Sequence, residues 1–129
     1  MSNEFKDYEW EKRQHIFSQI SNLPDGWYKS VVPNLVNDLI NVLGPYVFDF
    51  EVLQSKEKYG SLRLYWAWRD GSFRDPEVDW NKMRNDIESV IHKYERISYK
   101  TCADCGAAAV YDNDGYGYMI PLCEKCFNK

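Results

Sequence analysis

The chain closes on TCADCGAAAVYDNDGYGYMIPLCEKC, Thr101 to Cys126, two Cys-x-x-Cys pairs with 17 residues between them. A Cys-x-x-Cys pair on a tight turn aims two thiolates at one point. Two such knuckles joined by a short hairpin complete the tetrahedral four-sulfur cage that zinc favours. Cys102, Cys105, Cys123 and Cys126 therefore read as the ligands of one Zn²⁺, with Gly106 giving the first knuckle its backbone freedom. Two rival readings fit less well. Disulfides belong to oxidising compartments, and the first thirty residues contain no apolar run of the kind that forms a signal-peptide core. Redox dithiols use one pair at the start of a helix in a βαβ setting, whereas here two pairs bracket a hairpin. A cage closed by four protein sulfurs leaves no position at which to activate water, so the expected role of the metal is structural.

A chain of 129 residues fits one compact domain with a small appendage. The expected division is an α+β domain over 1–99 and a zinc-ribbon module over 100–129, mounted close to the third helix. The formal net charge of −4 and pI near 5.2 oppose the broad positive field that duplex nucleic acid selects. No stretch approaches 18 apolar residues, so no membrane span is expected and the sequence reads as a cytoplasmic, soluble protein.

Apolar residues Phe5, Tyr8, Ile16, Phe17 and Ile20 recur about one helical turn apart and predict a first helix, ended by Leu23-Pro24-Asp25-Gly26. Tyr28, Val31, Val32, Leu35, Val36, Leu39, Ile40 and Leu43 form a wider stripe. Pro33 implies a restart after Val32, and Gly44-Pro45 a stop. The period then changes to two. In Phe48, Phe50 and Val52, and again in Leu62, Leu64, Trp66 and Trp68, apolar side chains alternate with polar ones.

These runs predict a hairpin over about 47–54 and 61–69 with SKEKYG as its linker. An antiparallel register pairing Val52 with Leu64 and Phe50 with Trp66 would put Asp49 and Glu51 within reach of Arg63 and Arg69. Trp80, Met83, Ile87, Val90, Ile91, Tyr94 and Ile97 predict a long third helix, capped by Asp75 or Asp79. The fold expected is α+β, with helices packed on a small antiparallel sheet and a C-terminal zinc-ribbon module.

Nothing in the sequence asks for a catalytic assignment. His15 and His92 lie on separate predicted helices, which disfavours a histidine-based metal nuclease, and neither a phosphate-binding Gly-rich loop nor a Gly-x-Ser-x-Gly turn occurs. No small-molecule substrate is evident. The richest remaining stretch is KEKYGSLRLYWAWRDGSFR, where basic residues alternate with aromatic ones. Arg63, Tyr65, Arg69 and Arg74 are its candidate partner-binding residues. Such a pattern can bind single-stranded nucleic acid, but Trp66 and Trp68 fall on the predicted core face and the arginines can be answered by Asp49 and Glu51. Tyr111, Tyr116 and Tyr118, in the segment between the knuckles, look more like a protein-contact surface.

Gly26-Trp27 before an amphipathic helix, then KEKYGSLRLYW, then a helix leading into CADCG and a final LCEKC, resembles a group of small uncharacterised proteins encoded in bacteriophages and prophages. The likeness spans Gly26 to Cys126. The resemblance implies a binding protein that acts on a host macromolecule, most often a protein such as a defence or transcription component. A zinc-stabilised, non-enzymatic binder of a host protein is the function expected. A nucleic-acid binder using the hairpin and the ribbon is the alternative.

Overall fold

A computed structural model describes residues 2–72, 74–111 and 120–129, with residues 2–8 as backbone only. Five helices and one hairpin make up its described part, and the class is α+β as expected. The helices are α1 (Ser2–Phe17), α2 (Asp25–Ser30), α3 (Val32–Leu43), α4 (Trp80–Tyr99) and α5 (Glu124–Phe127); the strands are β1 (Phe50–Lys58) and β2 (Ser61–Trp68). No described helix is long and apolar enough to cross a membrane.

The helical stripes predict the core well. Ile16 from α1, Leu35, Leu39 and Leu43 from α3, and Ile87 and Ile91 from α4 are buried in one cluster with Phe50, Leu62 and Leu64 of the hairpin. The proline restart is also seen. The chain breaks at Val31 and α3 begins at Val32, with Pro33 in its first turn, where a missing N–H leaves no hydrogen bond broken. Of the two candidate caps, Asp79 starts α4, its Oδ1 accepting from the Lys82 N–H at 3.0 Å. Asp75 instead closes the preceding turn, accepting from the Glu77 N–H at 2.9 Å.

The hairpin differs from the prediction in its start, its turn and its register. Residues Gly44–Asp49 form a 3₁₀ helix, so β1 begins at Phe50 rather than near residue 47. The supposed linker is strand as far as Lys58, and only Tyr59 and Gly60 make the turn, with φ of 53° and 86°. Two positive φ values match the right-handed twist of the flanking strands, which lets so short a connection close a hairpin.

Phe50 pairs with Trp68 and Val52 with Trp66, two residues along from the expected partners, and Leu53 has no partner because Gln54 is next, opposite Tyr65. This bulge reverses the alternation. Odd-numbered Ser55 now points inward opposite Leu64 and is 3% exposed. Its hydroxyl donates to the Ser21 carbonyl at 2.7 Å and accepts from the Ser21 N–H at 2.9 Å. A buried polar group is thus fully answered and ties β1 to the segment after α1.

At the other edge, Ser98 of α4 accepts from the Leu62 N–H at 2.8 Å and donates to the Glu95 carbonyl at 2.7 Å. Part of the aromatic surplus is used at the far end of the sheet, where Phe50, Trp66, Trp68, Trp80 and Tyr46 form a chain of ring contacts with centroids 5.0–5.3 Å apart.

Between α3 and α4, the buried Tyr94 hydroxyl donates to Asp38 at 2.5 Å. Desolvation, the hydrogen bond to Asp38 and the charge of Asp38 together push the phenol from 10.0 up to about 12. The folded value lies above the unfolded one, so this contribution is whole below pH 10 and is lost as pH rises toward 12. Stability measured across that alkaline window is expected to fall by about 2 kcal/mol through Tyr94, and Tyr94→Phe should remove that part of the slope. An unchanged slope in the variant would contradict it.

Candidate metal centre

Each knuckle is built by backbone hydrogen bonds that place sulfur as a consequence. In the first, Cys102 N–H donates to the Ala107 carbonyl at 2.7 Å and Gly106 N–H to the Cys102 carbonyl at 3.0 Å, closing a turn around Cys105. Gly106 has φ of +85°, where a side chain would be strained. In the second, Cys123 caps α5, its Sγ accepting from the Cys126 N–H at 3.5 Å. Cross-links join the knuckles: Ala103 N–H to the Pro121 carbonyl at 2.8 Å, a Tyr111–Leu122 bridge, and the Tyr111 ring stacked on Phe127 at 4.0 Å.

The four Sγ atoms lie within 4.8 Å of one another and can hold a metal ion. All four residues are free cysteines, and Cys105 and Cys123, at 3.6 Å, are far beyond the length of about 2.05 Å that a disulfide requires. Cys102 and Cys126 are buried while Cys105 is exposed, so the cluster sits at the surface with its back to the protein.

The thiols compete with one another. At Cys102 desolvation works to raise the pKa, but backbone donors of Cys105, Cys123 and Asp104 outweigh it and draw the value down to about 6. At Cys126 desolvation and sulfur neighbours act together and push it up to about 12. A group of sulfurs that stabilises the thiolate of Cys102 and resists that of Cys126 is a site whose charge calls for a cation.

The module is docked on α2, which the sequence reading did not foresee. Gly26 N–H donates to the Ala103 carbonyl at 2.7 Å, the buried Trp27 Nε1–H to the Thr101 carbonyl at 3.0 Å, and Ser30 Oγ–H to the Gly106 carbonyl at 2.6 Å. The Gly26-Trp27 dipeptide was the available signal. A glycine followed by a large ring suits a place where backbone passes close to backbone and an indole is buried.

The residues expected to bind a partner are dispersed. Arg63 and Arg69 are six residues apart, about 20 Å along an extended strand. Arg69 pairs with Asp49 at 2.9 Å as anticipated, and the Arg74 guanidinium lies 5.9 Å from the Trp68 ring. The expected answer of Glu51 to Arg63 does not occur, because the shifted register and the bulge set Glu51 opposite Ala67 and Arg63 opposite Lys56. Tyr65 is exposed, with Lys56 Nζ 6.0 Å from its ring centroid. Tyr111 stacks within the module, and Tyr116 and Tyr118 lie outside the described residues. Arg63 instead lines a cleft of about 640 Å³ together with Tyr59 and with Glu95, Arg96, Tyr99 and Lys100 at the end of α4.

A Cβ at Gly26 would stand 2.2 Å from the Cys102 carbonyl oxygen, 2.6 Å from the Gly106 nitrogen and 2.8 Å from the Ala103 carbonyl carbon. All three are backbone atoms and cannot turn away. Gly26→Ala is expected to destabilise the fold by about 1–3 kcal/mol, measured by denaturant unfolding. A variant as stable as the parent would refute the docking.

Comparison with known proteins finds no family, curated protein or solved structure that matches this chain, so the functional reading rests on the site itself.

Proposed function

We propose that the protein is a non-enzymatic binding protein whose four-cysteine centre holds one structural Zn²⁺ and whose target is another macromolecule, a host protein. The observation that carries the metal half is the convergence of four sulfurs within 4.8 Å. A tetrahedral ion with metal–sulfur bonds of about 2.3 Å has sulfur–sulfur edges of about 3.8 Å, close to the 3.6 Å between Cys105 and Cys123. An all-thiolate donor set selects zinc over the hard cations that prefer oxygen.

With every position of a four-coordinate ion taken by sulfur, the ion's contribution is to folding, on the order of 10 kcal/mol for sites of this kind. Zinc would hold Cys102–Cys105 against Cys123–Cys126, and through Trp27 it would secure the core beneath them.

The binding half is supported by what stays outside. Leu53 at 64%, Tyr59 at 59% and Tyr65 at 47% are exposed on the hairpin, large side chains of the types that anchor protein contacts. The phage or prophage setting and the cytoplasmic location belong to the same proposal and come from the resemblance and the cysteine chemistry.

Protein prepared under reducing conditions is expected to carry one zinc per chain by atomic emission. Chelation should disorder the segment from about Lys100 onward and change the emission of Trp27, judged against Trp27→Phe, while most of the far-UV helical signal survives. Absence of stoichiometric zinc would end the metal reading. Affinity purification from host cells should retain a defined protein despite nuclease treatment; a catch that vanishes with nuclease would favour the nucleic-acid alternative.

A further inference from the structure

Local rules of protein structure are broken three times around one cleft. Tyr59 takes φ of 53° in the hairpin turn, a left-handed conformation that Asn or Gly adopts with little strain and a bulky ring does not. Arg63 Nε is the one buried side-chain nitrogen or oxygen without a hydrogen-bond partner among the described residues. Arg63 also stands directly opposite Lys56 across the strands, a like-charge pair that repels. Tyr59 and Arg63 line the cleft of about 640 Å³, together with Arg96, Tyr99 and Lys100. Strain of this kind persists where surrounding structure or a ligand makes use of it.

We propose that this cleft, between the hairpin turn and the last turns of α4, receives an acidic segment of the partner protein, one carboxylate meeting Arg63 and Arg96 while the tyrosines pack against the adjoining side chains. The inference rests on the protein-partner reading above and names the surface and chemistry for it.

A carboxylate meeting the outer guanidinium nitrogens of Arg63 would offset the repulsion from Lys56, and a guanidinium is shaped for bidentate contact with it. A peptide fits better than a nucleic-acid strand for two reasons. The cleft is short, with room for a few side chains rather than a run of nucleotides. Carboxylates also stand beside its cations: Glu95 lines it, Glu57 closes the turn by accepting the Gly60 N–H at 2.8 Å, and the chain as a whole carries −4. A phosphate backbone would be repelled by these two carboxylates, whereas peptide N–H groups can use them.

The test uses the full zinc-loaded chain and a fluorescein-labelled peptide rich in Glu and Tyr, with an oligothymidylate of equal charge as the rival probe. The peptide should bind, and Arg63→Gln and Arg96→Gln should each weaken it about tenfold with zinc content unchanged. Tyr59→Asn should weaken it too while raising the melting temperature, because relief of strain and loss of contact move in opposite directions. Absence of peptide binding, affinity indifferent to Arg63→Gln, or tighter and steeply salt-dependent binding of the oligothymidylate would each overturn the proposal. If a host protein still co-purifies equally well with Arg63→Gln, the cleft assignment fails and the binding function stands. If no protein co-purifies with the parent chain, the function itself fails.

Discussion

The rest of the structure depends on the close approach of α2 to the first cysteine knuckle. Trp27 is fully buried and belongs to the same core as Ile16, Leu35 and Leu39, yet its indole N–H must find an acceptor, and the Thr101 carbonyl supplies it. Gly26 permits that reach. With any side chain there, the helix would be held off the Cys102–Gly106 turn and the indole could not enter the core and meet Thr101 together. Adjacent residues thus perform two halves of one task. The cysteine segment, with few buried apolar residues among those described, borrows a wall from the helical part, and the helical part closes its core with a ring held from the cysteine side.

The hairpin is tied in by a different device. Two strands alone are marginal in water, and this pair is held at both edges by buried hydroxyls that replace missing neighbours in the sheet. Ser55 clasps Ser21 on the β1 side, and Ser98 receives the Leu62 N–H on the β2 side. Neither bond would form without the bulge at Leu53 or the exact phase of α4. An inserted residue turns Ser55 inward opposite Leu64, where an uninterrupted alternation would have placed Gln54. The bulge also ejects Leu53 to solvent, so one irregularity both anchors the strand and leaves an apolar side chain exposed.

Helix stripes, the restart at Pro33, the Asp79 cap and the clustering of the cysteines were legible because each is set by residues a few positions apart or by strong, specific chemistry. Register was not. The 3₁₀ segment absorbed residues whose alternation looked like strand, and nothing in the charges of SKEKYG distinguishes a linker from a two-residue turn flanked by strand.

Docking of α2 on the knuckle joins residues more than seventy positions apart and leaves only Gly26-Trp27 as its trace. The arginines show the limit most clearly. Read along the chain, Arg63, Arg69 and Arg74 form one basic stretch. In space Asp49 takes the second, Trp68 the third, and the first shares a cleft with Glu95, Arg96 and Lys100 from the end of α4, which no pattern within the hairpin reveals.

The metal site and the cleft are mechanically joined through Lys100. Its side chain lines the cleft, and its backbone carbonyl accepts the Ala109 N–H at 2.8 Å inside the cysteine module. The next residue, Thr101, holds Trp27 through its carbonyl, bonds the Ile97 carbonyl through its hydroxyl at 2.7 Å, and pairs with Ala108. An ion holding the knuckles together would therefore fix the last turn of α4, and with it the positions of Arg96, Tyr99 and Lys100 relative to Arg63. Preorganisation of that kind lowers the entropy lost when a partner is bound. Under the proposed function, a structural ion would take a direct part in recognition without touching the target, because the residues proposed to face the target stand on the helix end that the knuckle holds.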